Sequence, residues 1–176
     1  MDFVYAEANR VLKKYGTRDP YELLDAIGAV VRITDRYPPE GLKGYCALLN
    51  RSMYAVINGR LSETDRKVAA GHEAAHLILH RRLMAGGPVK GMRDFNLYDG
   101  SIRTEREANS FLADFIVPDE DVLDAIGTAD DYFGAAGELY IPAPLLAFKL
   151  YSMMRRGYPV QNPAELESGF LKGKIK

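Results

Sequence analysis

The run from Val68 to Leu79 constrains this chain more than any other stretch. It is almost wholly apolar, yet it carries Gly71-His72-Glu73-Ala74-Ala75-His76 at its centre. On a helix, residues four apart differ by about 6 Å of rise and about 40° of rotation, so His72 and His76 project as neighbours from one face. Two imidazoles so placed can grip one metal ion. Glu73 lies about 100° round from His72, beside such an ion rather than on it, where a carboxylate can take a proton from an attacking water. The bland alternative is a pair of hydrogen-bonded core histidines. Against it, two of the chain's three histidines fall in this motif, and burying two imidazoles and a carboxylate among alanine, valine and leucine is costly without a strong partner. HExxH in this setting is the pattern of a zinc hydrolase site.

The motif helix has a clear beginning. Ser62 is an N-cap, and Glu63 and Asp65 in the first turn suit the helix dipole; the apolar spacing carries the helix to about Leu83. His80 continues the four-residue series. It is a candidate third ligand or a donor behind the ligands, and the second is favoured, because three histidines on consecutive turns fan around the axis and converge poorly on one ion. Upstream, apolar positions from Phe3 to Leu12, closed by Gly16, predict a helix over residues 2–15. Asp19-Pro20 caps a short helix ending at Gly28. Ala29–Thr34, Gly44–Leu49 and Met53–Ile57 read as three short strands, the last two adjacent across Asn50-Arg51-Ser52, and serve chiefly as scaffold.

From Met84 to Arg103 the pattern is glycine-rich and irregular, which predicts a long loop bordering the cleft. Lys90, Arg93 and Tyr98 are its candidate substrate contacts. After it, Ala108, Phe111, Leu112, Phe115 and Ile116 keep helical spacing up to Pro118. A catalytic zinc normally takes three protein ligands and leaves one position open. Glu105 falls near the centre of this apolar stripe and Glu107 near its edge, and a buried carboxylate needs a strong partner. Glu105 is therefore the expected third ligand, with Glu107 as the fallback. Asn109, one turn beyond Glu105, is placed to orient a ligating imidazole.

His72-Glu73-Ala74-Ala75-His76-Leu77-Ile78-Leu79-His80, followed by Glu105-Arg106-Glu107-Ala108-Asn109-Ser110-Phe111-Leu112-Ala113 and Pro118, resembles the ImmA/IrrE family of metallopeptidases. The Glu105-x-x-Ala108-Asn109 part also resembles the glutamate helix of gluzincins. The likeness covers about residues 40 to 125, judged by the extent of the motifs. It departs from the family order only at Leu112-Ala113, where Phe-Ala is usual. It implies Zn2+ held by His72, His76 and Glu105, with Glu73 as general base. It also implies a zinc endopeptidase that cuts a helix-turn-helix repressor and so releases mobile-element, prophage or stress genes. The expected fold is α+β: a mainly helical, zincin-like domain over residues 1–126 with a small three-stranded sheet, a C-terminal helical, helix-turn-helix-like subdomain over 127–160, and a tail over 161–176. An oxyanion donor beyond the metal is expected from Tyr98, Tyr45 or His80, with no choice among them.

In the C-terminal third, Asp119–Ile126 reads as a helix stopped by Gly127, followed by helices over Asp131–Tyr140 and Pro144–Arg156. Lys149, Arg155 and Arg156 lend this helix pair some charge, but its many apolar residues favour packing over reading DNA. A formal net charge of -1 and a pI near 6.3 give no basic field for nucleic acid. One cysteine, Cys46, excludes an internal disulfide, and no apolar run approaches the roughly 18 residues of a membrane span. With no secretory signal pattern at the start, a cytoplasmic protein is expected. The rival to hydrolysis is a metal-containing regulator without catalysis that acts by binding a repressor or DNA.

Overall fold

A mixed sheet of four strands with helices packed on it makes up the described residues, 3–86, 91–94, 96–98, 100 and 102–161, of the computed structural model. Helix α1 (Phe3–Tyr15) buries Val4, Ala8 and Val11, the face set by its apolar spacing. Asp19 caps α2 (Pro20–Ala26), accepting from the backbone N–H of Tyr21 at 2.8 Å and of Glu22 at 3.1 Å. Strand β1 (Ala29–Thr34) follows. Strands β2 (Gly44–Leu49) and β3 (Ser52–Asn58) form a hairpin whose turn residues, Asn50 and Arg51, both take positive φ, as a two-residue turn matched to strand twist requires. β1 runs parallel to β3, and β2 antiparallel to it.

The fourth strand corrects the expectation of three. β4 (Gly91–Asp94) lies within the stretch read as a loop and pairs antiparallel with the free side of β2, Gly44 opposite Asp94. The sheet order is therefore β1-β3-β2-β4, with β4 at the edge.

The motif helix, α3 (Glu63–Leu79), packs across this sheet and is buried continuously from Val68 to Leu77. Its N-cap is Ser62, whose hydroxyl accepts from Asp65 N–H at 3.1 Å. It stops at Leu79 rather than near Leu83: His80 leaves helical geometry, and a separate short helix, α4 (Arg81–Gly86), begins after it. Gly71 lets α5 (Arg103–Ile116) come close, since a Cβ there would stand 2.2 Å from Leu112 Cδ1. Along α5, Ala108, Phe111, Leu112 and Phe115 fill the core between α3 and α1.

Beyond Pro118, α6 (Asp119–Thr128) runs through Gly127 instead of stopping before it, and Thr128 Oγ donates to Asp124 O at 3.0 Å. With α7 (Tyr132–Glu138) and α8 (Ala143–Arg155) it surrounds a second apolar cluster that includes Val122, Ala135, Ala136, Leu150 and Met153. Two of the cations weighed for DNA contact turn inward. Lys149, 1% exposed, bridges Asp114 at 3.1 Å and Asp119 at 2.7 Å, while Arg156 pairs with Asp119 and lies over the Tyr5 ring. Burial raises the Asp114 carboxyl above its ordinary pKa despite Lys149 beside it. Burial acts the same way on Asp119, but hydrogen bonds from Arg156 and Lys149 outweigh it and hold that carboxyl well below the usual range. Arg155 lies over the Tyr151 ring. Lys90 and the tail beyond Gln161 fall outside the described residues. No described helix is long and apolar enough to cross a membrane.

Candidate metal centre

The two helices that carry the motifs bring their polar side chains to one point. His72 Nε2 lies 3.0 Å from His76 Nε2 and 3.0 Å from Glu105 Oε2, and His76 Nε2 lies 3.4 Å from the same carboxylate oxygen. Both histidines are fully buried. Each is held from behind. Asn109 Oδ1 is 3.0 Å from His72 Nδ1, so that ring donates its Nδ1–H outward and turns Nε2 to the cluster. Behind His76, Nδ1 meets His80 Nδ1 at 2.9 Å, His80 Nε2 donates to Glu107 Oε2 at 3.1 Å, and Glu107 Oε1 accepts from Arg103 Nε at 2.7 Å. His80 therefore backs His76 instead of joining the cluster, and Glu107 faces His80 and Arg103, away from the donors that Glu105 joins.

A fourth donor was not expected from the sequence. Asp94, 3% exposed, puts Oδ1 at 3.5 Å from His72 Nε2 and 4.0 Å from His76 Nε2. The ligand atoms of His72, His76, Asp94 and Glu105 all lie within 4.8 Å of one another. With the Nδ1 positions engaged elsewhere, two imidazole lone pairs and two carboxylate oxygens face a common point, and such a set repels itself without positive charge in its midst. The charge preferences agree. Burial opposes a proton on His72, yet Asp94 and Glu105 outweigh it and push its pKa up to about 9. Burial likewise disfavours a charged Glu105, but hydrogen bonds from His72 and His76 prevail and hold it well below the usual carboxylate range. These residues fit a divalent cation, with nitrogen and oxygen donors of the kind zinc takes.

Glu73 lies beside this cluster, fully buried, with the Asp94 carboxylate alongside. Burial first, and the like charge of Asp94 second, raise its pKa well above the ordinary value. Apart from the Asp94 carboxyl and the Cys46 thiol, a weak donor, both next to it, neither carboxyl oxygen has a hydrogen-bond partner. Gly44 makes the space: a Cβ there would stand 2.5 Å from Glu73 Oε1 and 3.2 Å from Val56 O. Gly44→Ala is accordingly expected to displace the Glu73 carboxyl while leaving His72, His76 and Glu105 in place. Any reaction that draws on that carboxyl should slow by about 10²-fold, the scale of a misplaced reacting group, with metal content measured by atomic absorption unchanged. A variant as active as wild type would show that the carboxyl has freedom to move.

The other candidates are placed elsewhere. Tyr45 sits between Gly44 and Cys46, which face α3, so the pleat turns it to the opposite side of the sheet. There it and its cross-strand neighbour Arg93 line an open groove with Tyr37, Pro38 and Leu49. Tyr98 is half-buried against the core. Its hydroxyl has no partner, and burial, with Asp65 near the start of α3 as its acidic neighbour, raises its pKa strongly. Of the three oxyanion donors considered, only His80 touches the cluster, and it does so through His76.

Comparison with known proteins agrees with this arrangement. Residues 29–136 match the model of the peptidase M78 family, described as the IrrE N-terminal-like domain. The match takes in all four strands, α3 and α5. The chain is also similar to the "uncharacterized immunity region protein 2" of Bacillus phage phi105, 31% identical over 116 residues, which are 66% of this chain and 69% of that protein. No solved structure matches. The match spans more than half of the chain and includes every donor of the cluster, and by it the chain belongs to the M78 peptidase family.

Proposed function

We propose that this protein is a zinc-dependent endopeptidase in which His72, His76 and Glu105 hold the metal and Glu73 is the general base. The observation that carries this reading is the meeting of the two Nε2 atoms and Glu105 Oε2 at 3.0–3.4 Å beside the fully buried Glu73 carboxyl. Zinc, when bound, polarises the scissile carbonyl as a Lewis acid and lowers the pKa of water to about 7. Glu73 takes the proton from the attacking water. Burial raises its pKa above the ordinary carboxylate value, which makes it a stronger proton acceptor than a solvated glutamate. Asn109 fixes the tautomer of His72, and the His80–Glu107–Arg103 chain does the same for His76. An extended peptide would be received along the outer edge of β4, which carries Asp94 of the cluster and, among the described residues, pairs with β2 alone.

The substrate in this reading is a helix-turn-helix repressor, which the chain's likeness to ImmA/IrrE proteins and to a phage immunity-region protein supports. The test is to incubate the purified, zinc-loaded protein with a purified helix-turn-helix repressor from the same source. A discrete fragment should form, disappear with a chelator and return with added zinc. An intact repressor after prolonged incubation, together with a stable complex of the two proteins, would favour a metal-containing regulator without catalysis. The complete burial of His72, Glu73 and His76 speaks for that second reading.

A further inference from the structure

The stretch expected to be a loop contributes a carboxylate to the centre of the molecule, and the metallopeptidase reading gives it no task. We propose that Asp94 is a fourth protein ligand, so that in the resting protein the metal position a water or substrate must occupy is filled by the chain's own edge strand. The proposal rests on the metal-binding role assigned above and concerns the single position that role leaves free.

Three observations carry it. The first is spacing. Donors about 2.0–2.1 Å from one ion in a tetrahedral set stand about 3.3 Å apart. The separations among the three expected ligands are 3.0, 3.0 and 3.4 Å, and Asp94 Oδ1 extends the set at 3.5 and 4.0 Å. It keeps a ligand's distance from both imidazoles at once. The second is orientation. Asp94 ends β4, where Cα pairing with Gly44 and the bond from Lys43 N–H to Asp94 O at 2.7 Å fix the backbone, and its side chain is 97% removed from solvent. An acid so placed, with the Glu73 carboxyl beside it and no cationic or amide donor on Oδ2, calls for a cation to offset its burial. The third is closure. His72 and His76 have no solvent exposure and Asp94 has 3%, so solvent meets the set of four donors only at Glu105, 15% exposed, as suits a centre whose ligands all come from protein.

A closed centre of this kind must open before it can hydrolyse anything. Asp94 is able to leave because β4 is held to the sheet by four paired positions on one side, and withdrawing this one carboxylate leaves the other three donors in place. A peptide added to the outer edge of β4 is the natural agent of that movement, since it would engage the strand that carries the blocking group.

The experiment uses the full chain loaded with cobalt(II) in place of zinc, and reads the visible spectrum rather than turnover. With four protein ligands, azide has no position to take, and the wild-type spectrum should not change when it is added. Asp94→Ala should show an azide-dependent spectrum, and its zinc affinity, measured by competition with a chromophoric chelator, should fall by about tenfold or more. Asp94→Asn serves the same purpose if the alanine variant does not fold. A wild-type spectrum that responds to azide as the variant does, with cobalt bound to both, overturns Asp94 as a ligand and leaves the three-ligand centre standing. A wild-type chain that binds no cobalt overturns both readings together.

Discussion

Glu73→Gln is expected to keep its metal and to lose peptide hydrolysis by about 10²–10⁴-fold, the range associated with a positioned general acid–base group. Glutamine has nearly the volume of glutamate, so the pocket that Gly44 opens for this side chain stays filled. None of the four donors is altered, since Glu73 stands beside the cluster and not in it. What disappears is the carboxyl beside the four donors that can accept a proton without first giving up a ligand. The expected pair of results is therefore an unchanged zinc content by atomic absorption and a substrate protein left whole on a gel. Turnover within tenfold of wild type would remove Glu73 from the chemistry. Loss of zinc along with activity would mean that the substitution had disturbed the ligands, and the variant would then say nothing about a base.

The second large effect is on stability. Lys149→Met removes the ammonium that stands between Asp114 and Asp119, leaving Asp114, 4% exposed, with Arg156 at 3.6 Å as its remaining cation. Breaking one side of a buried ion pair typically costs about 3–5 kcal/mol, because the surviving charge stays desolvated. For a chain of this size that corresponds to a fall in Tm of roughly 10 °C. The double variant Lys149→Met, Asp114→Asn should recover much of the loss, since the amide can still accept from Ser152 Oγ, which now bonds Asp114 at 2.6 Å. Urea unfolding of the wild type, the single and the double variant completes the comparison. Equal midpoints for wild type and Lys149→Met would mean that the Lys149 ammonium contributes nothing net to stability.

How much of this was legible in the sequence depends on how local each signal is. The convergence of His72, His76 and Glu105 could be read because four-residue spacing and an apolar stripe act within one helix. The hairpin, the Asp19 cap and the start of α3 at Ser62 are likewise written in a few adjacent residues. β4 was missed for the opposite reason. Gly91-Met92-Arg93-Asp94 has too few residues to show alternation, and it is a strand only because β2 lies beside it. Asp94 was missed with it, although an acid two residues from an apolar one in a glycine-rich stretch is the kind of position a search for further donors would have sampled. Lys149 failed differently. On α8 alone it reads as a cation available to a partner, and it is Asp114 and Asp119, on helices 35 and 30 positions earlier, that turn it inward. The early stop of α3 has a similar cause, since His80 leaves helical geometry where it bonds to Glu107 on a neighbouring helix.

Gly71 carries a consequence of its own. Glycine inside a helix weakens it by about 1 kcal/mol relative to alanine, and here it stands directly before the first histidine. The bare position lets the tip of the Leu112 side chain sit against the backbone of α3, so the motif helix gives up intrinsic strength to take α5 close beside it. A larger side chain at residue 71 would have to push Leu112 aside, and selection for a sturdier helix there therefore pulls against tight seating of the two helices that carry the ligands.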